Sequence, residues 1–261
     1  MRLDNTSVAL VTGASSGIGA ALAVSLASRG VTVGLVARRK ARLEEVLERC
    51  KAAAPASRIW AADLGDLELA ERVALDAWEA FGHVDVLVNN AGIPKRRHVT
   101  ELTYAEVEEV MRVNFLSPAR VTLTLLPKLL ERGTGSIVNV SSVAGRLGNP
   151  RESAYSASKF ALCGWSEALN VDLWDTPLEV RLINPGAIET EIWYTPGEDA
   201  PIYEGDKEAP EGIAEGIVAA IEGDTFEHYI PDMKPFVDAK QDDIEGFMKG
   251  AVDWVKSVGR S

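Results

Sequence analysis

Thr12-Gly13-Ala14-Ser15-Ser16-Gly17-Ile18-Gly19 stands directly behind an apolar run at 8–11 and opens a stretch with helical spacing. Its glycines let the backbone turn tightly and come close to a ligand. The helix that follows presents unpaired N–H groups and the positive end of its dipole at the same place, which suits a pyrophosphate. A Gly-rich turn alone is a weak signal. Here it sits at the first β–α junction, where the mechanism requires it. The spacing is T-G-x-x-x-G-x-G, not G-x-G-x-x-G.

Working outward, short β-branched runs recur at 8–11, 31–36, 59–62, 84–88, 136–140 and 180–183. Between them, 42–51, 67–81, 104–130 and 154–174 carry apolar residues at helical spacing. Continuous apolar strands alternating with helices predict a parallel sheet covered on both faces. With right-handed crossovers this is an α/β, doubly wound, Rossmann-type fold. The 261 residues suit one domain, 1–261, and no repeat or low-complexity linker divides them. A short helix at 213–221 and a strand at 226–230 precede an amphipathic tail around 236–258.

The composition, 46% hydrophobic and 25% charged, excludes disorder, collagen and coiled coil. The net charge of −12 argues against nucleic-acid and anionic-membrane partners, since both need surplus positive charge. Cys50 and Cys163 are too few for a disulfide scaffold and read as reduced thiols. His83, His98 and His228 lie far apart, so no metal site is expected. The polar start, 1–7, carries no signal-peptide pattern and no long apolar stretch occurs, so the expected location is the cytoplasm.

The Gly-rich turn is joined by further landmarks. Asn89-Asn90-Ala91-Gly92 follows the fourth strand, Asn114 lies in the next long helix, and Ser142 ends the fifth strand. Tyr155 and Lys159 come next, and Asn184-Pro185-Gly186 ends the sixth strand with Thr190 close behind. In this order and spacing the set resembles the short-chain dehydrogenase/reductase family over roughly residues 6–230. The resemblance implies a nicotinamide cofactor held by Gly13, Ser15, Ser16, Gly17, Ile18, Gly19, Asp63, Leu64, Asn90, Ala91, Gly92, Tyr155, Lys159, Pro185, Gly186, Ile188 and Thr190. Asp63 would bind the adenine amino group, though it also suits a helix or turn cap.

The ribose end separates NAD from NADP. An NAD site usually carries an acid at the end of the second strand. This chain has Ala37-Arg38-Arg39-Lys40 there, and its nearest acids, Glu44 and Glu45, lie inside the helix. A guanidinium grips a 2′-phosphate that a carboxylate would repel. Arg38 is the first choice for that contact and Arg39 its support, so NADP(H) is expected over NAD(H).

Tyr-x-x-x-Lys occurs twice, at Tyr155/Lys159 and Tyr203/Lys207. The chemistry needs both side chains on one helix face. The first pair opens a good helical sequence. The second contains Gly205 within a Pro-rich loop and reads as coincidence. A free Tyr titrates near ~10, and a value of about 7 needs roughly 4 kcal/mol of preference for the phenolate. The Lys159 ammonium one turn away and the oxidised nicotinamide are expected to supply it. By resemblance Tyr155 is the general acid or base, Ser142 holds the substrate oxygen, and Lys159 also binds the nicotinamide ribose. Asn114 positions a water linking Lys159 to solvent, and the hydride passes directly between nicotinamide and substrate carbon. The implied activity interconverts a carbonyl and an alcohol. A cofactor-binding protein without turnover, and an isomerising or eliminating member, are the alternatives.

On the substrate side, Ser142, Ala144, Tyr155 and Trp193 are the candidate contacts, and 190–212 the candidate substrate loop. Its part at 195–212 reads equally as a solvated loop or a mobile flap. Trp193 and Tyr194 suggest an apolar or aromatic carbonyl compound, or else they pack the loop down. Arg96, Arg97 and Arg146 are available for an acidic substrate group or for the surface. The extension 232–261 replaces the Asp-Gly-Gly ending common among relatives, and covers either its own chain or a neighbour. A homo-oligomer, dimer or tetramer, is expected.

Overall fold

A computed structural model describes residues 1–259. Seven strands form one sheet: β1 (Val8–Thr12), β2 (Thr32–Ala37), β3 (Arg58–Ala61), β4 (Val86–Asn89), β5 (Gly135–Val140), β6 (Leu178–Pro185) and β7 (Glu227–Ile230). Their order is β3-β2-β1-β4-β5-β6-β7 and every pairing is parallel. Parallel strands need crossovers, and helices supply them: α1 (Gly17–Ser28), α2 (Lys40–Lys51), α3 (Leu67–Phe81), α4 (Tyr104–Met111), α5 (Ser117–Arg132), α6 (Ser153–Asp172) and α7 (Pro210–Glu222). The doubly wound fold is thus observed.

Strand alternation splits the core. Ala9 and Val11 of β1, with Val33 and Leu35 of β2, pack with Leu22 and Leu26 of α1 and Ile217 and Ile221 of α7. Leu10 and Val36, with Leu87 and Ile137, face the other way onto Val73 of α3, Leu125 and Leu129 of α5, and Leu169 of α6. Side chains two apart share a face, so each strand feeds both layers. Winding reverses between β1 and β4. Their carboxyl ends part there, and such a crevice is where open α/β sheets bind ligands.

Three boundaries differ from expectation. The expected helix at 104–130 is broken by a π-helical turn, Arg112–Leu116, between α4 and α5. A π turn inserts a residue into the helical ladder, which an apolar period does not reveal. α7 begins at Pro210, whose fixed φ suits a first helical turn, instead of at 213. The tail at 236–258 is two helices, α8 (Lys234–Asp242) and α9 (Ile244–Ser257), separated at Asp243. The Asp243 side chain accepts from Gly246 N and starts the second helix.

Candidate active site

The Gly-rich turn lies at the mouth of the crevice, and its conformation demands glycine. Gly13 (φ +68°) and Gly17 (φ +53°) are left-handed. A Cβ on Gly13 would stand 2.8 Å from Ala91 Cα, and one on Gly17 2.8 Å from Thr190 Cγ2. Gly19 lies behind the loop, where a Cβ would overlap the Gly13 carbonyl and stand 2.5 Å from Asn90 Nδ2. Asn90 and Thr12 lock the turn from below. Asn90 Nδ2 donates to Thr12 O (2.9 Å), while Thr12 Oγ1 accepts from the amides of Asn90 (2.9 Å) and Ala91 (3.0 Å). The N-terminus of α1 has no side-chain cap and no acid in its first turn. Unclaimed N–H groups facing a cleft that glycine keeps open are the donor set a dinucleotide pyrophosphate requires.

The cleft has a volume of about 810 Å³ and runs from Arg38, Asp63 and Leu64 past Gly13–Ile18 and Asn90–Gly92 to Tyr155 and Lys159. Asp63 Oδ1 accepts from Gly65 N (2.9 Å), so it holds its own turn while bordering the cleft. Arg38 has no hydrogen-bond or ion-pair partner among the described residues. Arg39 is engaged: Nη1 meets Glu191 Oε2 at 2.6 Å, and Nη2 donates to the hydroxyls of Ser15 (3.2 Å) and Ser16 (2.7 Å). Pro185, Gly186 and Ile188 line a second cavity, and Thr190 borders both. Pro185 ends β6 and the others follow it, two strands further from the reversal point than the NNAG turn.

Tyr155 stands where the two cavities meet. It enters the first turn of α6 with Lys159 one turn on. Their ammonium-to-ring-centroid distance is 5.8 Å. Lys159 is buried and donates to Val140 O (3.0 Å). The Ser142 hydroxyl accepts from Ala144 N (3.1 Å) and stands close enough to Tyr155 to influence its phenol. Asn114 sits in the π turn, fully buried. Its Oδ1 accepts from Ile93 N (2.8 Å), and its Nδ2 donates to Ile93 O (3.0 Å) and Ser158 Oγ (3.0 Å). A Cβ on Gly92 would lie 3.4 Å from Asn114 Oδ1 and 3.6 Å from Lys159 Nζ, so those groups converge on one point.

Burial dominates the electrostatics of Tyr155 and Lys159. Tyr155 is held well above the ordinary phenol value, first by burial and then by the neighbouring Glu152 carboxyl. Ser142 and Arg96 oppose this without prevailing. Lys159 is itself pulled down to about 8 by burial. Desolvation penalises both charged forms. In this structure Tyr155 is therefore a protonated acid at neutral pH.

The second cavity, about 750 Å³, is largely apolar. Val143 and Leu147 wall one side, and Ile192, Trp193 and Ile202 another. Ala144, expected at the substrate, is 1% exposed and lies beneath the wall. The 195–209 segment is tied down. Arg96, 4% exposed, donates to the carbonyls of Ile192 (3.0 Å), Trp193 (3.2 Å) and Asp199 (3.0 Å), and Arg97 donates to Gly197 O (2.6 Å). Arg146 pairs with Glu227 (2.8 Å) and Glu167. These three arginines serve loop and scaffold, not a substrate acid. Tyr203 and Lys207 lie outside any helix. They flank Trp193, at 6.1 Å between ring centroids and 5.3 Å from ammonium to ring, while Tyr203 donates to Asp206 O (2.8 Å).

The tail covers its own chain. Met233, Phe236, Phe247, Gly250, Ala251 and Trp254 complete the cavity, and Lys240 donates to Arg146 O (2.6 Å). Sequence reasoning missed Glu152, Glu191 and these tail residues. The first two carry no motif. For the tail, apolar helical spacing was visible but its docking surface was not. Among the described residues no helix is long and apolar enough to cross a membrane, and no His/Cys/Asp/Glu cluster could hold a metal.

A seven-stranded parallel sheet with a donor-lined crevice at its reversal point defines a nucleotide-binding α/β protein. The short chain dehydrogenase family model matches residues 7–200, and the chain belongs to that family of oxidoreductases. It is 33% identical over 219 residues to the ketoacyl reductase HetN of Nostoc sp., covering 84% of this chain and 76% of that one. Against three further curated relatives it spans 59–62% of their length. A short chain dehydrogenase/reductase from Burkholderia phymatum, solved with NAD, superposes with a TM-score of 0.85 at 27% identity, covering 94% of this chain and 96% of that one. One from Sphingobium yanoikuyae, solved with NADPH, gives 0.80 at 28% identity and covers 95% of each chain.

Proposed function

We propose that this chain is an NADP(H)-dependent reductase of apolar ketones or aldehydes. The observation that carries the reading is the position of Tyr155, a protonated acid bordering both the donor-lined cleft and the apolar cavity. A bound nicotinamide supplies the hydride that a carbonyl carbon accepts. The chain does the rest. The Gly-rich turn and α1 hold the pyrophosphate. The Tyr155 hydroxyl gives its proton to the carbonyl oxygen. The Ser142 hydroxyl, oriented by the Ala144 amide, donates a hydrogen bond to that oxygen. Lys159 holds the nicotinamide ribose and, with Asn114, a route for returning the proton to Tyr155. The phenol keeps its proton at neutral pH, the form that a carbonyl oxygen needs.

Arg38, unengaged at the ribose end, supports NADP(H). Nicotinamide fluorescence titration should show NADPH binding at least about tenfold tighter than NADH, a difference of roughly 1.4 kcal/mol, with Arg38→Ala abolishing it. Equal binding of both cofactors to the unaltered protein would remove the NADP assignment.

The cavity's size and apolar walls support a long or aromatic carbonyl compound, and the Nostoc relative is named for a ketoacyl substrate. Gly250 of α9 borders the cavity, and a Cβ there meets nothing within 4 Å. Gly250→Trp should fill that end without disturbing the fold. Its kcat/KM for long-chain ketones should fall by about tenfold or more, with small ketones little affected. Equal losses for both would place the substrate elsewhere. The reading also includes a single domain over 1–261 and a homo-oligomeric, cytoplasmic enzyme. Light scattering at micromolar concentration tests the oligomer.

A further inference from the structure

Glu191 is the first residue of the short 3-10 turn Glu191–Tyr194, immediately after Thr190. Its carboxylate crosses the cleft to α2: Oε2 lies 2.6 Å from Arg39 Nη1 and Oε1 3.6 Å from Arg42 Nη2. Arg39 simultaneously donates to the hydroxyls of Ser15 and Ser16. Its cationic neighbours hold Glu191 below the usual carboxylate range, so it is charged at neutral pH. A negative group thus already sits on one of the two arginines expected to bind a 2′-phosphate. The adjacent Arg38 has no such partner among the described residues.

We propose that Glu191 is a cofactor-selectivity residue, an internal carboxylate that competes with the ribose 2′-phosphate for Arg39. NADPH brings a dianionic group to this end of the cleft and must displace Glu191. NADH brings a neutral hydroxyl and need not. The proposal rests on the reading of Arg38 and Arg39 as the phosphate clamp. It adds that Arg39 becomes available only when Glu191 leaves.

Both side chains of the pair are about half exposed, 47% and 49%, which bounds the effect. Exposed pairs are worth up to about 1 kcal/mol, roughly fivefold in affinity. The test titrates NADPH and NADH, by calorimetry, into the intact protein, Glu191→Gln, Arg39→Ala and the double variant. Glu191→Gln is expected to raise NADPH affinity about fivefold relative to NADH at low salt, with the gain shrinking as ionic strength rises. In the Arg39→Ala background the same substitution should do nothing, because the group it liberates is gone. Two results would overturn the proposal. One is an unchanged NADPH-to-NADH ratio in a Glu191→Gln protein with native circular dichroism. The other is a gain that persists without Arg39. Both concern the change caused by Glu191, so they are distinct from failure of the NADP assignment, which is read from the unaltered protein and Arg38→Ala.

Discussion

Tyr155→Phe should lower kcat for carbonyl reduction by about 10²- to 10⁴-fold, the range that a positioned general acid contributes. The substitution removes one oxygen and keeps the ring against the Lys159 ammonium. NADPH affinity should therefore stay within about twofold, because the groups that grip the pyrophosphate and ribose lie elsewhere in the cleft. The split identifies the role: a structural tyrosine would weaken binding and stability together. Burial and Glu152 hold the phenol well above its ordinary value, so the acid is populated throughout the neutral range. Its titration should therefore not limit reduction there. Single-turnover kinetics with saturating NADPH makes the measurement, and a kcat within tenfold of the unaltered protein would remove Tyr155 as the proton donor.

The second large effect belongs to Gly19→Val. A Cβ at Gly19 meets backbone, the Gly13 carbonyl, together with the Asn90 amide that holds Thr12 O. The Gly13 carbonyl is backbone and the Asn90 amide is held by its hydrogen bond to Thr12 O, so the turn itself must move. Overpacking of this kind costs about 1–3 kcal/mol. Here the displaced atoms are those that cradle the cofactor. NADPH affinity should fall by about a hundredfold, with a lowered Tm. Gly164, inside α6, is the matched control: nothing lies within 4 Å of its Cβ position. Gly164→Ala should leave binding unchanged and stabilise by up to about 1 kcal/mol through helix propensity. If Gly19→Val binds NADPH normally, the turn does not hold the cofactor.

Most of the fold was legible because strands buried on both faces read as continuous apolar runs, and helices between them force parallel pairing. The candidate cluster was legible through local spacing, as four residues on a helix place Tyr155 and Lys159 on one side. What stayed hidden depends on contacts between distant segments. The partners of Arg96 lie far along the chain, at Ile192, Trp193 and Asp199. A sequence shows its charge but not that loop carbonyls consume its donors. The π turn at Asn114 interrupts no apolar period. Burial, which no motif encodes, raises the phenol pKa of the protein alone, whereas the lowering expected from Lys159 together with the oxidised nicotinamide concerns the loaded site. The tail showed an apolar face without showing that it closes a cavity.

The most direct test supplies NADPH carrying deuterium at the transferable position of the nicotinamide, with a panel of apolar ketones and aldehydes. Cofactor oxidation is followed optically and products by mass spectrometry. The account predicts that NADP⁺ and alcohol form one for one, with a single deuterium on the carbinol carbon, and that the same product forms about 10²- to 10⁴-fold more slowly with Tyr155→Phe. Tight NADPH binding with no oxidation by any member of the panel would contradict it, as would product formed without net cofactor oxidation.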